Sequence, residues 1–377
     1  MSNRLFLLRK AAEMSANKNL HRAKKAKNDE FYTQYADIEK EMNAYLEYDE
    51  NVFKDKTILL PCDDPEWSNF TKYFAQNFER FGIKKLISTS YAADSKPSDI
   101  KYQPTVFEMD SPKFDQKKTR SHGKIFILEK DKNADKKINI DDLEWDYLKS
   151  DGDFRSDEIK KLRDEADIII TNPPFSLFRE FVAWIFECSK KFVIIGNINA
   201  ATYKEVFPLI KNNKLWIGAT MTGVGQHWFR IPDNYDNGLI KVIDGIRYAT
   251  IGGACFYTNI DHGRRHQPIP LMSLEDNIKF SKHKEVRGQE YKKYENYDVI
   301  EVPYTDAIPN DYKSIMGVPI SFLDKYCPEQ FSIIGMAEDN GKGFSSRESK
   351  WDGKNPHCLI DGKAKFKRIF IKHKEQK

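Results

Sequence analysis

Five short apolar runs recur along the middle of the chain: KTILLP (56–61), KKLISTSY (84–91), DIIITNPP (167–174), KFVIIGN (191–197) and KLWIGA (214–219). Segments of helical spacing lie between most of them, namely DPEWSNFTKYFAQNFERFG (64–82), SDEIKKLRDE (156–165), SLFREFVAWIFEC (176–188) and TYKEVFPLIKNN (202–213). Strands separated by helices cannot close as tight hairpins. Each helix must carry the chain back to the start of the next strand, so the strands run parallel through right-handed crossovers. The runs are apolar on both sides, as strands covered on both faces must be. The expected fold is therefore α/β and Rossmann-like: a mostly parallel, twisted sheet with helices on both faces.

Local signals refine this frame. Tyr35, Ile38, Met42 and Tyr45 predict a helix reaching residue 48, with Asn28 or Asp29 as its start signal. Trp67, Phe70, Phe74 and Phe78 form one stripe, with Pro65 in the first turn and Gly82 as the stop. Ser156 reads as a cap, and Thr202-x-x-Glu205 as a capping box. DGDF (151–154) reads as the end of a short strand, and ACFYTNI (254–260) as the last core strand. Residues 92–147 break the rhythm and read as an insertion, with hairpin-like pieces PTVFEMD and GKIFILEKD.

A chain of 377 residues exceeds one small core. We expect a basic tail over 1–27, a main domain over 28–262 carrying the insertion, and a third region over 263–377. Charge follows this division. Lys/Arg against Asp/Glu run 8 to 3 over residues 1–30, 32 to 37 over 31–262, and 21 to 17 over 263–377. Basic ends suit contact with nucleic-acid phosphates, although a solvated tail has the same composition. The five cysteines are scattered without a C-x-x-C pair, which argues against a disulfide framework or zinc site. No apolar run approaches the ~20 residues of a membrane span, so no membrane is expected and the chain reads as cytoplasmic.

In sheets of this kind ligands bind beyond the C-terminal strand ends. There the unusual residues gather: Cys62, Asp63 and Asp64 after the first strand, Asp153 and Phe154 after the third, and Asn172-Pro173-Pro174-Phe175 after the fourth. Two prolines remove two donors and force the chain out of the ladder. The Asn172 side-chain oxygen and the Pro173 carbonyl are then adjacent acceptors, suited to both hydrogens of one amino group. Acceptors set off the plane of an aromatic amine would localise its lone pair on nitrogen. Phe175 would stack on the base, which must leave its duplex to be reached. A methyl sulfonium is a suitable electrophile and needs no metal. Either Asp63 or Asp64 would bind its ammonium while the other caps the next helix; Asp153 would hold an adenine amine, with Phe154 against the ring.

N-P-P-F after a parallel strand resembles the amino-methyltransferase signature of the class I fold. In AKNDEFYTQY, CDDPEWSNF, GDFRS, DIIITNPPFSLF, TYKEVF and MGVPISFL, in order from residue 26 to 323, the chain resembles the EcoRI family of adenine-specific DNA methyltransferases. The resemblance implies S-adenosyl-L-methionine as cofactor and Tyr32 and Thr33 near its methionine moiety. It also implies double-stranded DNA as substrate, N6 of adenine as target, and a restriction–modification setting. A cognate restriction endonuclease would act on the same site without stable association. Residues 263–377 become an α+β target-recognition region. Two positions depart from the broader fold: PCDDPEW replaces a glycine loop, and STSY ends the second strand without an acid for the ribose. Pro61-Cys62 resembles a cytosine-5 nucleophile, but it occupies the cofactor position, where Cys62 reads as a lining residue.

Outside this centre, Lys24, Lys25, Lys27, His227, Trp228, Arg264 and Arg265 are the candidate DNA contacts. KAKFKRIFIKHKEQK (363–377) reads as a basic edge strand. The residues leave three rival readings: methylation of an RNA adenine or cytosine N4, methylation of a protein glutamine, and a DNA-binding protein without turnover.

Overall fold

The structure, a computed structural model, describes residues 32–63, 68–92, 113–130, 138, 142, 144–231, 235–236, 238–339 and 341–375. The expected basic tail with Lys24, Lys25 and Lys27, the start signal at Asn28 or Asp29, and Asp64, Pro65, Trp67 and PTVFEMD lie outside them. The chain divides into two compact units, drawn from 1–42, 50–196 and 226–252 and from 43–49, 197–225 and 253–377.

In the first unit the strands follow the order β4-β3-β2-β1-β5-β6. They are β1 (Thr57–Leu60), β2 (Lys85–Ser90), β3 (Lys124–Leu128), β4 (Glu144–Tyr147), β5 (Ile168–Thr171) and β6 (Lys191–Asn197). β2, β1, β5 and β6 form a parallel ladder, as the alternation predicted. All four residues of β1 and of β5 are buried. β3 and β4 depart from the parallel rule. They extend the sheet antiparallel from β2, so the insertion adds strands to the sheet.

The helices are α1 (Tyr35–Tyr48), α2 (Asn69–Gln76), α3 (Gln116–Ser121), α4 (Asp157–Glu165) and α5 (Phe178–Phe186). α1 begins only at Tyr35, because Tyr32 is extended and exchanges backbone hydrogen bonds of 3.0 Å with Arg230. Ser68 caps α2, accepting from the Phe70 amide at 3.1 Å, and Ser156 caps α4 as predicted. Phe70, Phe74 and Phe78 are buried, and Gly82 ends the stripe at φ +62°. A three-stranded antiparallel sheet completes this unit: β8 (Trp228–Arg230), β9 (Ile240–Ile243) and β10 (Ile246–Thr250), in the order β8-β10-β9.

In the second unit α6 (Phe207–Lys211) is followed by β7 (Trp216–Thr222), which pairs antiparallel with β11 (Ala254–Thr258). The expected capping box is not formed. The Thr202 hydroxyl donates back to the Asn199 carbonyl at 2.9 Å and closes a 3-10 turn, and α6 starts only at Phe207. After α7 (Leu274–Phe280) comes a mixed sheet of β12 (Ile300–Glu301), β13 (Met316–Pro319), β14 (Phe331–Met336) and β19 (Arg368–His373), in the order β12-β13-β19-β14. Two-residue ladders join β15 (Glu338–Asp339) to β16 (Lys342–Gly343), and β17 (Leu359–Ile360) to β18 (Lys363–Ala364). β19 corrects the expected edge strand. It is paired on both sides, with Ile369, Phe370 and Ile371 buried; its basic flanks had mimicked an edge. Among the described residues, no helix is long and apolar enough to cross a membrane.

Candidate active site

Three loops meet at the C-terminal ends of β1, β2 and β5. The first leaves β1 as Pro61-Cys62-Asp63. The Asp63 carboxylate accepts from the Ser68 hydroxyl at 2.6 Å and from the Thr171 hydroxyl. Its amide donates to the Thr89 carbonyl at 3.1 Å, and its carbonyl accepts from the Ser88 and Thr71 hydroxyls. Asp63 is therefore the knot that ties three strand ends to the cap of α2, buried at 5% exposure. The sequence offered Asp63 and Asp64 as interchangeable ammonium ligands, but the geometry makes Asp63 a brace. Asp64 lies outside the described residues. Cys62 is half-buried beside this knot.

The second loop is the proline turn. Thr171 ends β5, and Asn172 follows with its side chain partly exposed. The Asn172 amide nitrogen donates to the Thr33 hydroxyl at 3.4 Å, and the Thr33 carbonyl accepts from the Asn69 side chain at 2.7 Å. Thr33 is buried, so the carboxamide is oriented from behind by a fixed hydroxyl. Among the described residues nothing donates to the Pro173 carbonyl. The Pro174 carbonyl does accept, from the Leu177 amide at 2.9 Å, and this bond closes the 3-10 turn Phe175–Leu177 that leads into α5. The Phe175 ring stays half-exposed, unlike the rings packed beneath it.

The third loop carries Asp153. Gly152 sits at φ +86°, and a Cβ there would lie 2.3 Å from the Ser90 carbonyl. Only glycine lets this loop lie against the end of β2. Asp153 accepts from the Tyr91 hydroxyl at 3.0 Å and from the Arg155 guanidinium at 2.6 and 2.9 Å. Burial opposes its charge, yet the bonds from Arg155 outweigh burial and hold the carboxyl below the usual range. Burial, then the neighbouring Asp153, pushes the Tyr91 hydroxyl well up. The Phe154 ring turns inward and packs edge-on against Phe181 at 5.0 Å and Trp184 at 5.7 Å.

Tyr32 precedes Thr33, and its backbone bridge leads to Arg230 of β8. His227, half-buried, precedes β8. Trp228 is half-exposed with the Lys241 ammonium 4.0 Å from its ring centre. Sequence reasoning missed the hairpin that supplies Lys241. Its Asp244-Gly245 turn has φ of 50° and 76°, the pattern of a type I′ turn, and Asp-Gly between apolar runs was the available signal.

Arg264 and Arg265 lie in the second unit, where Arg264 donates to the Ala219 carbonyl at 2.5 Å and to Asp324. Arg265 is buried, with its guanidinium 3.8 Å from the Trp216 ring centre, paired with Asp261 at 3.3 Å and bonded to Asn213. Both guanidiniums are engaged by their own unit, where a phosphate would have had to compete.

Comparison with known proteins was consistent across the chain. The profile of the family described as adenine-specific methyltransferase EcoRI matches residues 19–374. Type II methyltransferase M.EcoRI of Escherichia coli is 40% identical over 368 residues, covering 96% of this chain and 98% of that one. Type II methyltransferase M.MpnI of Mycoplasma pneumoniae is 30% identical over 365 residues, covering 94% and 98%. Type II methyltransferase M.MgeORF184P of Mycoplasma genitalium is 30% identical over 371 residues, covering 95% and 99%. No solved structure matches.

Proposed function

The chain belongs to the EcoRI family of adenine-specific methyltransferases, and from that premise we propose how its own residues perform the reaction. It is a site-specific DNA adenine methyltransferase of a restriction–modification system. The methyl acceptor is N6 of an adenine swung out of the duplex, because that amine is out of reach inside the stack.

One observation carries the mechanism: Asn172 is held by its amide nitrogen on buried Thr33, next to the Pro173 carbonyl. The Asn172 oxygen and the Pro173 oxygen accept the two amine hydrogens. They draw the nitrogen from planar toward tetrahedral and concentrate its lone pair. Both acceptors are rigid before substrate arrives, so little reorganisation is needed during reaction. Phe175 offers its half-exposed ring to the adenine face. S-adenosyl-L-methionine, when bound, supplies a methyl already activated on a sulfonium. The loop after β1 fits it: Asp63 is spent on structure, and the adjacent acid, Asp64, is left for the ammonium. Tyr91 and Asp153 flank the same edge, with a hydroxyl and a carboxylate for the nucleoside end. The enzyme acts in the cytoplasm, and a separate endonuclease reads the same site.

The test is transfer of label from methyl-tritiated cofactor to DNA, RNA and protein. Label should enter DNA alone. Asn172→Ala should lower methylation roughly 100- to 1,000-fold, the loss typical of a missing preorganised hydrogen-bonding group, with cofactor affinity within a few-fold. Turnover unchanged in that variant would defeat the mechanism.

A further inference from the structure

The Asp153 carboxylate accepts four hydrogen bonds among the described residues, and three of them come from one residue. Arg155 gives its backbone amide and its Nε to Oδ1 at 2.8 and 2.9 Å, and its Nη2 to Oδ2 at 2.6 Å. The Tyr91 hydroxyl gives the fourth, to Oδ2 at 3.0 Å. A carboxylate has about four lone-pair sites, so its capacity is met. A donor arriving from a nucleoside must displace one of the four. The Tyr91 hydroxyl is the one that can leave without opening the arginine fork.

The fork is itself held. The remaining terminal nitrogen, Nη1, donates to Glu180 at 3.0 Å, in the first turn of α5. The guanidinium carbon lies 5.4 Å from the Phe154 ring centre, and that ring is wedged by Phe181 and Trp184. Arg155 therefore joins the loop bearing Asp153 to the helix that follows the proline turn. Its side chain is 51% exposed and that of Glu180 49%, against 15% for Asp153. Ion pairs so open to water contribute little to folding stability. What a planar guanidinium supplies is direction: it fixes the plane of a carboxylate that would otherwise rotate.

We propose that Arg155 is the positioning residue for the nucleoside end of the cofactor site, gripping Asp153 by both oxygens and braced in turn by Glu180. This rests on the reading of Asp153 as a cofactor ligand given above. The charged and titratable groups around Asp153 are Arg155 and Asp151 on its own loop, Tyr91 after β2 and, behind Arg155, Glu180 on α5. Burial opposes ionisation of Asp153; the bonds from Arg155 are the larger opposing influence and the bond from Tyr91 the smaller. Without the guanidinium the carboxyl both rotates and takes up a proton more readily, and a protonated oxygen donates where the ionised one accepted.

The test measures binding of S-adenosyl-L-methionine to the full chain by calorimetry at pH 8 and pH 5. Arg155→Gln should bind about tenfold more weakly than wild type at pH 8 and about thirtyfold more weakly at pH 5. The amine of the cofactor titrates alike for both proteins, so the ratio of their affinities isolates Asp153. Arg155→Lys keeps a cation and loses the fork, so its loss should be about threefold and equal at the two pH values. Glu180→Gln should cost about twofold alone and nothing further when added to Arg155→Gln, since it acts through that side chain. The urea midpoint of Arg155→Gln should stay close to that of wild type.

Affinity within twofold of wild type in Arg155→Gln at both pH values would overturn the proposal. So would a loss that does not change with pH, which would make Arg155 a prop of the loop with no hold on the carboxyl. Asp153→Asn separates the parent reading: it should bind the cofactor at least about tenfold more weakly, with no further loss at pH 5. Wild-type affinity in Asp153→Asn would refute the assignment of Asp153 to the cofactor, whatever Arg155→Gln does.

Discussion

The Thr171 hydroxyl donates a hydrogen bond to the Asp63 carboxylate, joining the end of β5 to the loop after β1. Thr171 immediately precedes Asn172, so the acid that steadies the loop after β1 also anchors the proline turn. Asp63→Ala would leave the buried hydroxyls of Thr171 and Ser68 without their acceptor. The expected cost is roughly 2–6 kcal/mol, from about 1–3 for each of the two buried unsatisfied hydroxyls. Urea unfolding of the cofactor-free protein measures it. Asp64→Ala should instead weaken cofactor binding with little effect on the midpoint. If Asp63→Ala kept the wild-type midpoint and lost only cofactor, the brace would be misassigned.

Thr33 acts through Asn172. Thr33→Val keeps the side-chain shape but removes the hydroxyl that accepts from the Asn172 amide. The carboxamide can then rotate, and its oxygen is no longer held toward the amine. We expect kcat to fall about tenfold, a loss of about 1.4 kcal/mol in transition-state stabilisation, with little change in KM for DNA. Thr33→Ser restores a hydroxyl and should recover most of kcat. A matching loss in the valine and serine variants would show that packing, rather than the hydrogen bond, matters at this position.

How much of this was legible depended on whether a residue's partners are near in sequence. β1 and β5 could be read because burial on both faces demands unbroken apolar runs, and the turn after β5 because two prolines permit few conformations. Asp63 could not be distinguished from Asp64, since its partner Thr171 lies 108 residues away. Arg264 resembled a phosphate ligand for the same reason, as Asp324 lies 60 residues on. Phe154 resembled a ring awaiting a ligand until Phe181 and Trp184 packed on it. The hairpin was overlooked although Asp244-Gly245 separates two apolar runs, because its first strand buries little and shows no inward face: Val242 and Ile243 face solvent.

Arg265 gives a test that separates structure from DNA contact. Its guanidinium stacks on Trp216 and bonds to Asp261 and Asn213. Arg265→Ala should cost roughly 2 kcal/mol, through the lost stacking and hydrogen bonds. The salt slope of DNA binding should not change, because a residue that neutralises no phosphate releases no counterion. A slope reduced by about 1 with unaltered stability would return Arg265 to the DNA surface.

His266 makes the second unit sensitive to pH. Its imidazole stacks on Tyr48 at 5.6 Å and contacts Asp261 at 2.9 Å and Glu329 at 3.0 Å. Burial disfavours the charged ring, but the two carboxylates outweigh burial and raise its pKa above the ordinary 6.5. Protonated His266 is therefore favoured by folding. Its contribution is fully present below 6.5 and is lost as pH rises through the higher folded value. For Asp261 and Glu329 burial again opposes the charge, yet their pKa values fall below 3.8 and 4.5, with His266 among the causes. Their contributions are present above those values and are lost as pH falls through the lower folded ones. The cluster is thus most stabilising between the ordinary acid and imidazole values, with Arg265 supporting Asp261 from the same side. Urea midpoints should decline from pH 6 toward pH 8.5 in the wild type and decline less in His266→Gln. Titration of the His266 ring signal by NMR should give a pKa above 6.5. A lower value, or parallel midpoint curves for the two proteins, would show that the carboxylates do not hold the proton on this ring.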